Sequence, residues 1–303
     1  MSLESALRAA RVVACGLFSL LVVFGASHEA VAQSAVGNNA EEVNNKKVDS
    51  MRPFFMLATS RFADAAERSA ILDSLQRHVT NRDYLGNALA QEFPELGDRL
   101  DRDHVFVLPT SLKAVKSASA KGCGPGTAGL IIYNGEKWPE TPPEEQSNMP
   151  TAIAQGKAMA LYRGCHNYGV APGAEFVGFR PNTCDYNLDG SILSHVDWSG
   201  IELLDIQGQG LIGDRCNARA GLDAYVAFMT VIARELRAKG GHPKIVAQVS
   251  FRFTPPERMI AAIRRLQGIV DGFYIAYPSN VGPPCAYCSP RNLEEVLSAI
   301  RAR

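Results

Sequence analysis

Lys244-Ile245-Val246-Ala247-Gln248-Val249-Ser250-Phe251-Arg252, followed by Thr254-Pro255-Pro256-Glu257, is the stretch on which the reading of the fold turns. Side chains on a strand point to opposite faces in turn, so Ile245, Ala247, Val249 and Phe251 share an apolar face while Gln248, Ser250 and Arg252 share the other. A strand that is apolar along one face and turns polar on the other only toward its C-terminal end suits a sheet covered by helices outside and opening on a cleft inside. The Thr-Pro-Pro-Glu run behind it predicts a helix start, with Thr254 as N-cap, Pro255 at the first helical position and Glu257 three residues after the cap. Strand, turn and helix in that order are the repeating unit of a parallel α/β sheet.

The unit recurs outward from this stretch. Short apolar runs predict strands at 54–59, 104–109, 129–134, 175–180, 200–207, 244–252 and 272–277. Amphipathic stretches predict helices at about 61–79, 84–93, 151–166, 219–238, 256–268 and 291–302. Thr141-Pro142-Pro143-Glu144, behind the third run, repeats the same helix start. Residues 51–303 have the length of a closed eight-stranded barrel, about 250 residues. The expected fold is therefore α/β, a single TIM-like (β/α) barrel, either built on seven strands or with one strand unrecognised. An open doubly wound sheet is the competing arrangement.

In such a barrel the cleft lies at the C-terminal ends of the strands. Alternation puts Leu130, Ile132, Asn134 and Glu136 on one face, and Asp205 and Gln207 at the end of another. With Gln248, Ser250 and Arg252, polar groups gather at three strand ends, and burying them unpaired for structure alone is costly. Glu136 and Asp205 are the carboxylates of this row. Two carboxylates across a cleft are the minimal apparatus of glycoside hydrolysis, here with Glu136 as proton donor and Asp205 as nucleophile or base. Asn134, Arg180, Gln207, Gln248, Ser250 and Arg252 are expected to bind substrate, and Trp138, Tyr274 and Tyr277 to offer ring faces to a sugar. The same residues also fit a non-catalytic binder of a saccharide or other polar small ligand, its carboxylates held by Arg252. Neither reading requires a cofactor.

Ile131-Ile132-Tyr133-Asn134-Gly135-Glu136-Lys137-Trp138, Thr141-Pro142-Pro143-Glu144-Glu145-Gln146, Asp205-Ile206-Gln207-Gly208-Gln209, Gln248-Val249-Ser250 and Asp271-Gly272-Phe273-Tyr274-Ile275 together resemble a group of uncharacterised exported bacterial proteins with a glycosidase-like TIM barrel. The group's third-strand motif resembles Tyr-Asp-x-Glu; Asn134 stands here in place of the Asp, and Glu136 is kept. The resemblance covers most of residues 51–278 and implies the barrel more than any activity.

The N-terminus reads as an export signal over residues 1–32: Arg8 and Arg11, the apolar run from Val12 to Gly25, and Ala30-Val31-Ala32 before Gln33. Residues 33–50 are polar and read as a flexible leader. A periplasmic or secreted protein with no membrane span after signal removal is expected. Cys123, Cys165, Cys184, Cys216, Cys285 and Cys288 then form an even set suited to disulfides in an oxidising compartment, with connectivity open. Cys285-Ala286-Tyr287-Cys288 also has the spacing of redox and zinc motifs, but no second pair completes a zinc site.

Asp185, Asn187 and Asp189, with Gly190 after them, match the opening of a calcium loop, but Val196 stands where the bidentate Glu belongs. A weak structural calcium site and a hydrogen-bonded Asx turn are both open readings. His166 and His195 read as surface or capping residues. A hydrophobic content of 46% excludes disorder as the main state, and 31 basic against 31 acidic residues leaves no field to hold nucleic acid.

Overall fold

The computed structural model describes residues 53–302, apart from 60, 61, 63, 125, 181–182, 213–217, 241, 253 and 278–284. The expected signal and leader, and Cys216, lie outside the described residues. Ten strands occur among them: β1 Phe54–Ala58, β2 Tyr84–Gly86, β3 Val105–Val107, β4 Leu130–Tyr133, β5 Asn167–Val170, β6 Phe179–Arg180, β7 Asp185–Tyr186, β8 Leu203–Ile206, β9 Lys244–Ser250 and β10 Gly272–Ala276. Eight of these close into a barrel in the order β1-β10-β9-β8-β5-β4-β3-β2, with every pairing parallel. The outer helices are α1 Ala65–His78, α2 Asn87–Glu92, α3 Pro94–Gly97, α4 Leu112–Ala120, α5 Pro143–Ser147, α6 Met149–Leu161, α7 Gln209–Ile212, α8 Ala218–Ala238, α9 Pro256–Leu266 and α10 Pro290–Arg301. None of the described helices is long and apolar enough to cross a membrane.

The sequence expectation of seven strands is corrected at three places. Tyr84-Leu85-Gly86 is a strand of only three buried residues, too short to show a period, and it runs straight into α2. Asn167-Tyr168-Gly169-Val170 has only four residues and carries a glycine that hides it. Residues 175–180 are not a barrel strand: Ala174–Val177 is a 3₁₀ turn that ends at Gly178, whose φ of 97° takes the chain out of extended geometry. Only Phe179 and Arg180 are extended, pairing antiparallel with Asp185 and Tyr186 outside the barrel.

The helix starts are also corrected. Pro142 and Pro255, not Thr141 and Thr254, hold the cap positions of α5 and α9, and neither helix has a side-chain cap bond. The helices that do have one use Asp64, Ser111, Asn148 and Ser289, each accepting from a backbone N–H three residues on.

Alternation sorts the strand side chains as expected. Phe54, Met56, Leu130, Ile132, Leu203 and Val246 fill the barrel, while Phe55, Leu57, Ile131, Tyr133, Ile245 and Val249 pack under the helices. At the N-terminal ends of the strands, Lys244 Nζ donates to Tyr84 Oη at 2.8 Å and to Glu202 Oε1 at 2.6 Å, and His104 stacks on the Tyr84 ring. His166 is buried, with Nδ1 at 2.9 Å from the Ala128 carbonyl, so the surface reading of it is corrected.

The first strand and the last helix are tied together by Asp83. Its fully buried carboxylate accepts from Phe55 N at 2.9 Å, Thr80 N at 2.7 Å, Thr80 Oγ1 at 2.8 Å and the Arg301 guanidinium. Arg301, the last residue of α10, also donates to the carbonyls of Pro53 and His78 and lies over the Phe55 ring. Asp83→Ala removes the partner of a largely buried cation and strands the Phe55 N–H, so unfolding free energy is expected to fall by about 3–5 kcal/mol in urea titrations. A loss under about 1 kcal/mol, the range of an exposed ion pair, would show that this network does not hold the first strand to the last helix.

Candidate functional site

The C-terminal strand ends surround a cavity of about 450 Å³. Asn134, Glu136 and Trp138 reach it from the β4–α5 loop, Asp205 and Gln207 from β8, Gln248, Ser250 and Arg252 from β9 and the turn after it, and Tyr274 and Tyr277 from β10 and just beyond. Every residue expected at the mouth therefore lines one cavity, save Arg180. The β6–β7 pair leaves the barrel, and there Arg180 is exposed, holding Asp185 through two bonds of 2.7 and 2.8 Å. Ala58, Leu108 and Ala276 complete the lining, and so does Gln209, which sequence reasoning passed over. The signal for Gln209 was its place two residues beyond Gln207, at the first turn of a helix too short to show a period.

The loop carrying Glu136 is held by buried polar groups. Thr141, fully buried, accepts through Oγ1 from Glu136 N at 3.1 Å and from Trp138 Nε1 at 2.9 Å. Gln146 Nε2 donates to the carbonyls of Trp138 and Thr141 at 2.8 and 2.6 Å. Glu145 accepts from Tyr133 Oη at 2.7 Å and from Leu112 N at 3.0 Å, tying the loop to β4 and α4. The Thr-Pro-Pro-Glu-Glu-Gln run thus serves to position Glu136 and Trp138, not to cap a helix. With its N–H committed, the Trp138 indole has its ring face to offer the cavity.

Glu136 and Asp205 lie in unlike environments. Asp205 is 2% exposed; burial drives its carboxyl well above the ordinary range, and the charge of Glu136 adds to the shift. Burial also raises Glu136, but the side chains of Gln207 and Asn134 hydrogen-bond with its carboxyl and oppose the rise, while Glu175 and Glu140 add to it. The upward shift is the stronger at Asp205. Asp205 sits inside β8, whereas Glu136 lies three residues beyond the end of β4. Tyr274, buried beside both, is raised by burial and then by their charges. Arg252 is exposed, and the causes that set the Asp205 shift are burial and Glu136.

Gln207 Nε2 donates to Asn134 Oδ1 and, at 2.7 Å, to the Ala171 carbonyl, linking β8 to the Glu136 loop. An amide at 134 instead of a carboxylate accepts this bond without adding charge beside Glu136. Tyr277 donates to Glu67 Oε1 at 2.8 Å, so its hydroxyl is engaged and its ring forms the wall.

Away from the mouth, Asp185 is held below the usual carboxylate range by the Thr183 hydroxyl and Arg180. Asp189 N donates to Asn187 Oδ1 at 2.9 Å, the bond of an Asx turn. Among the described residues no three His, Cys, Asp or Glu side chains gather where they would hold a metal ion. Cys123–Cys165 and Cys285–Cys288 are disulfides, and Cys184 is disulfide-bonded.

Fold and site together define an α/β barrel with a carboxylate-bearing cavity at its C-terminal mouth. No family model matches the chain, and no curated protein matches it. Solved structures similar to it include a cube-shaped protein cage designed by fusing symmetric oligomeric domains (10% identity, 82% of this chain and 71% of that one, TM-score 0.43). Another is a protein assigned as a deoxyribose-phosphate aldolase from Toxoplasma gondii ME49 (13%, 86% and 94%, TM-score 0.42). A third is D-threo-3-hydroxyaspartate dehydratase from Delftia sp. HT23 (12%, 77% and 55%, TM-score 0.34). Likenesses at this level assign neither chemistry nor substrate, and the barrel class rests on the strand pairing itself.

The raised Asp205 carboxyl has a signed consequence for stability. Because its pKa is raised on folding, Asp205 contributes stability that is fully present below the unfolded value, near pH 3.9, and is lost as pH rises toward the folded-state value. Asparagine does not ionise. Asp205→Asn and the parent should therefore have similar melting temperatures near pH 4, with the variant increasingly the more stable toward pH 8. A gap that stays flat, or opens in favour of the parent, would show an ionised and partnered Asp205.

Proposed function

We propose that this protein is a glycoside hydrolase acting on an extracytoplasmic glycan, with Asp205 as proton donor and Glu136 as nucleophile or as base for water. The observation that carries the reading is the pair of carboxyl groups lining one cavity at the barrel mouth in environments that separate their proton affinities. Asp205 in its acid form protonates the glycosidic oxygen as the bond to the anomeric carbon breaks. Glu136 attacks that carbon, or takes the proton of the water that does. Asn134 and Gln207 orient Glu136, the Trp138, Tyr274 and Tyr277 rings give the sugar apolar faces, and Ser250 and Arg252 meet its hydroxyls at the rim. Export to the periplasm or beyond belongs to the same proposal, since closed disulfides suit an oxidising compartment.

One observation favours a second reading, a non-catalytic saccharide binder. Asp205 is only 2% exposed, and a proton donor has to reach the bound glycosidic oxygen.

Reducing-end release from bacterial and plant polysaccharides separates the two. Glu136→Gln and Asp205→Asn are each expected to lower kcat about 100- to 10,000-fold, with KM little changed and the melting temperature of the Glu136 variant close to that of the parent. The acid limb of the parent's pH–rate profile should lie above the ordinary carboxylate range, in keeping with the upward shift of Glu136. Full activity in Glu136→Gln would rule out the carboxylate-pair mechanism, and saturable binding without product would favour the binder.

A further inference from the structure

Three of the hydrogen-bond donors that line the cavity are committed inside the protein. Trp138 Nε1 donates to Thr141, Gln207 Nε2 to Asn134 and the Ala171 carbonyl, and Tyr277 Oη to Glu67. Tyr274 differs from them. The residue is only 7% exposed, yet its hydroxyl has no hydrogen-bond partner among the described residues. Nor is that hydroxyl one of the unpaired atoms sealed from water, as Asp205 Oδ1 is. Because Tyr274 lines the cavity, its hydroxyl opens there.

The strand register fixes where the hydroxyl stands. Tyr274 is the middle residue of β10, paired with Met56 of β1 on one side and with Gln248 of β9 on the other, so its backbone is held from both edges. Its ring belongs to the apolar filling of the barrel and meets the Phe106 ring edge-on, with centroids 6.1 Å apart. Ala276 follows two residues later on the same face, and its partner on β1 is Ala58. Both alanines line the cavity, each with only a methyl group to fill the space on the mouth side of the ring.

The phenol is a donor throughout the working pH range. Burial, and then the charges of Asp205 and Glu136, oppose loss of its proton. Both carboxyl groups are near enough for their charges to act on the hydroxyl, and neither is hydrogen-bonded to it. A sugar unit that reaches the two carboxyl groups therefore meets a neutral O–H donor beside them.

We infer that Tyr274 is a further catalytic residue, its hydroxyl donating to a hydroxyl oxygen of the sugar unit whose glycosidic bond breaks. The inference rests on the glycan reading above and adds a substrate contact to that site. Tyr274 keeps its proton throughout, so the proton transfers of hydrolysis stay with the two carboxyl groups. A donor fixed on a packed ring, in a poorly solvated cavity, meets charge developing on the sugar without having to reorganise. Hydrogen bonds to sugar hydroxyls strengthen as the oxocarbenium-like transition state forms, so the contact acts mainly on kcat.

The test uses the full chain with 4-nitrophenyl α- and β-glycosides of glucose, galactose, mannose and xylose, and with the monodeoxy forms of any that is cleaved. Tyr274→Phe keeps the ring on Phe106 and removes an oxygen that has no partner in the protein, so the melting temperature should match that of the parent. It should lower kcat/KM about 10- to 100-fold, most of it in kcat. On the deoxy form that lacks the contacted hydroxyl, the penalty should shrink to about threefold or less. A merely structural role would give the same penalty on every deoxy form.

An equal penalty on all deoxy forms, or kcat/KM within about threefold of the parent throughout while Glu136→Gln still abolishes cleavage, overturns the inference and leaves the hydrolase reading standing. Binding of these glycosides without turnover, measured by calorimetry, overturns the catalytic role together with the hydrolase reading for them. Neither binding nor cleavage of any of them overturns the inference for the sugars named, while Glu136-dependent cleavage of a polysaccharide would still support the hydrolase reading.

Discussion

Closing the sheet between β1 and β10 is the constraint on which the molecule depends. Once the eight strands form a ring, every second side chain points into a space that only other strand residues can fill. The lower part of that space is apolar, with Phe54, Met56, Leu130, Ile132, Leu203 and Val246 in mutual contact. Five consecutive residue pairs join β1 to β10, against two joining β1 to β2, so the seam between chain ends is the more extensive of the two. Gly272 lets it form: a Cβ there would stand 2.4 Å from the Phe54 ring. Asp83 and Arg301 tie β1 and the turn before β2 to α10, through groups more than two hundred residues apart in the chain.

The barrel that is apolar below is also poorly solvated at its mouth, and this gives two ordinary carboxyl groups different behaviour. Asp205 lies within β8, one layer above the apolar filling, where burial and the charge of Glu136 both raise it. Glu136 lies beyond the end of β4 on a loop, with amides at hand. Distance along the strand from the core, more than residue type, sets which of the two carboxyl groups is raised the further.

That loop owes its shape to interactions invisible in any local pattern. Thr141, Glu145 and Gln146 fall in a run that looks like a helix start, yet each bonds to backbone or side-chain groups of the β4–α5 connection, of β4 or of α4. The prolines give the helix its start without a capping side chain, which frees Thr141 for the Glu136 loop.

Sequence alone determined what depends on local periodicity. The alternation in 244–252, the polar row at Asn134, Glu136, Asp205, Gln207, Gln248 and Ser250, and the five longer helices were all legible, because a face pattern needs only enough consecutive residues to repeat. Two barrel strands of three and four residues were not legible, since no period fits in that length, and 175–180 was misplaced because a glycine in left-handed geometry interrupts an otherwise apolar run. Arg180 went astray with it. The tertiary structure decided the number of strands, the convergence of polar groups from four strand ends on one cavity, and which carboxyl group is raised the further. These depend on burial and on partners distant in the chain, and neither is a property of any stretch of sequence taken by itself.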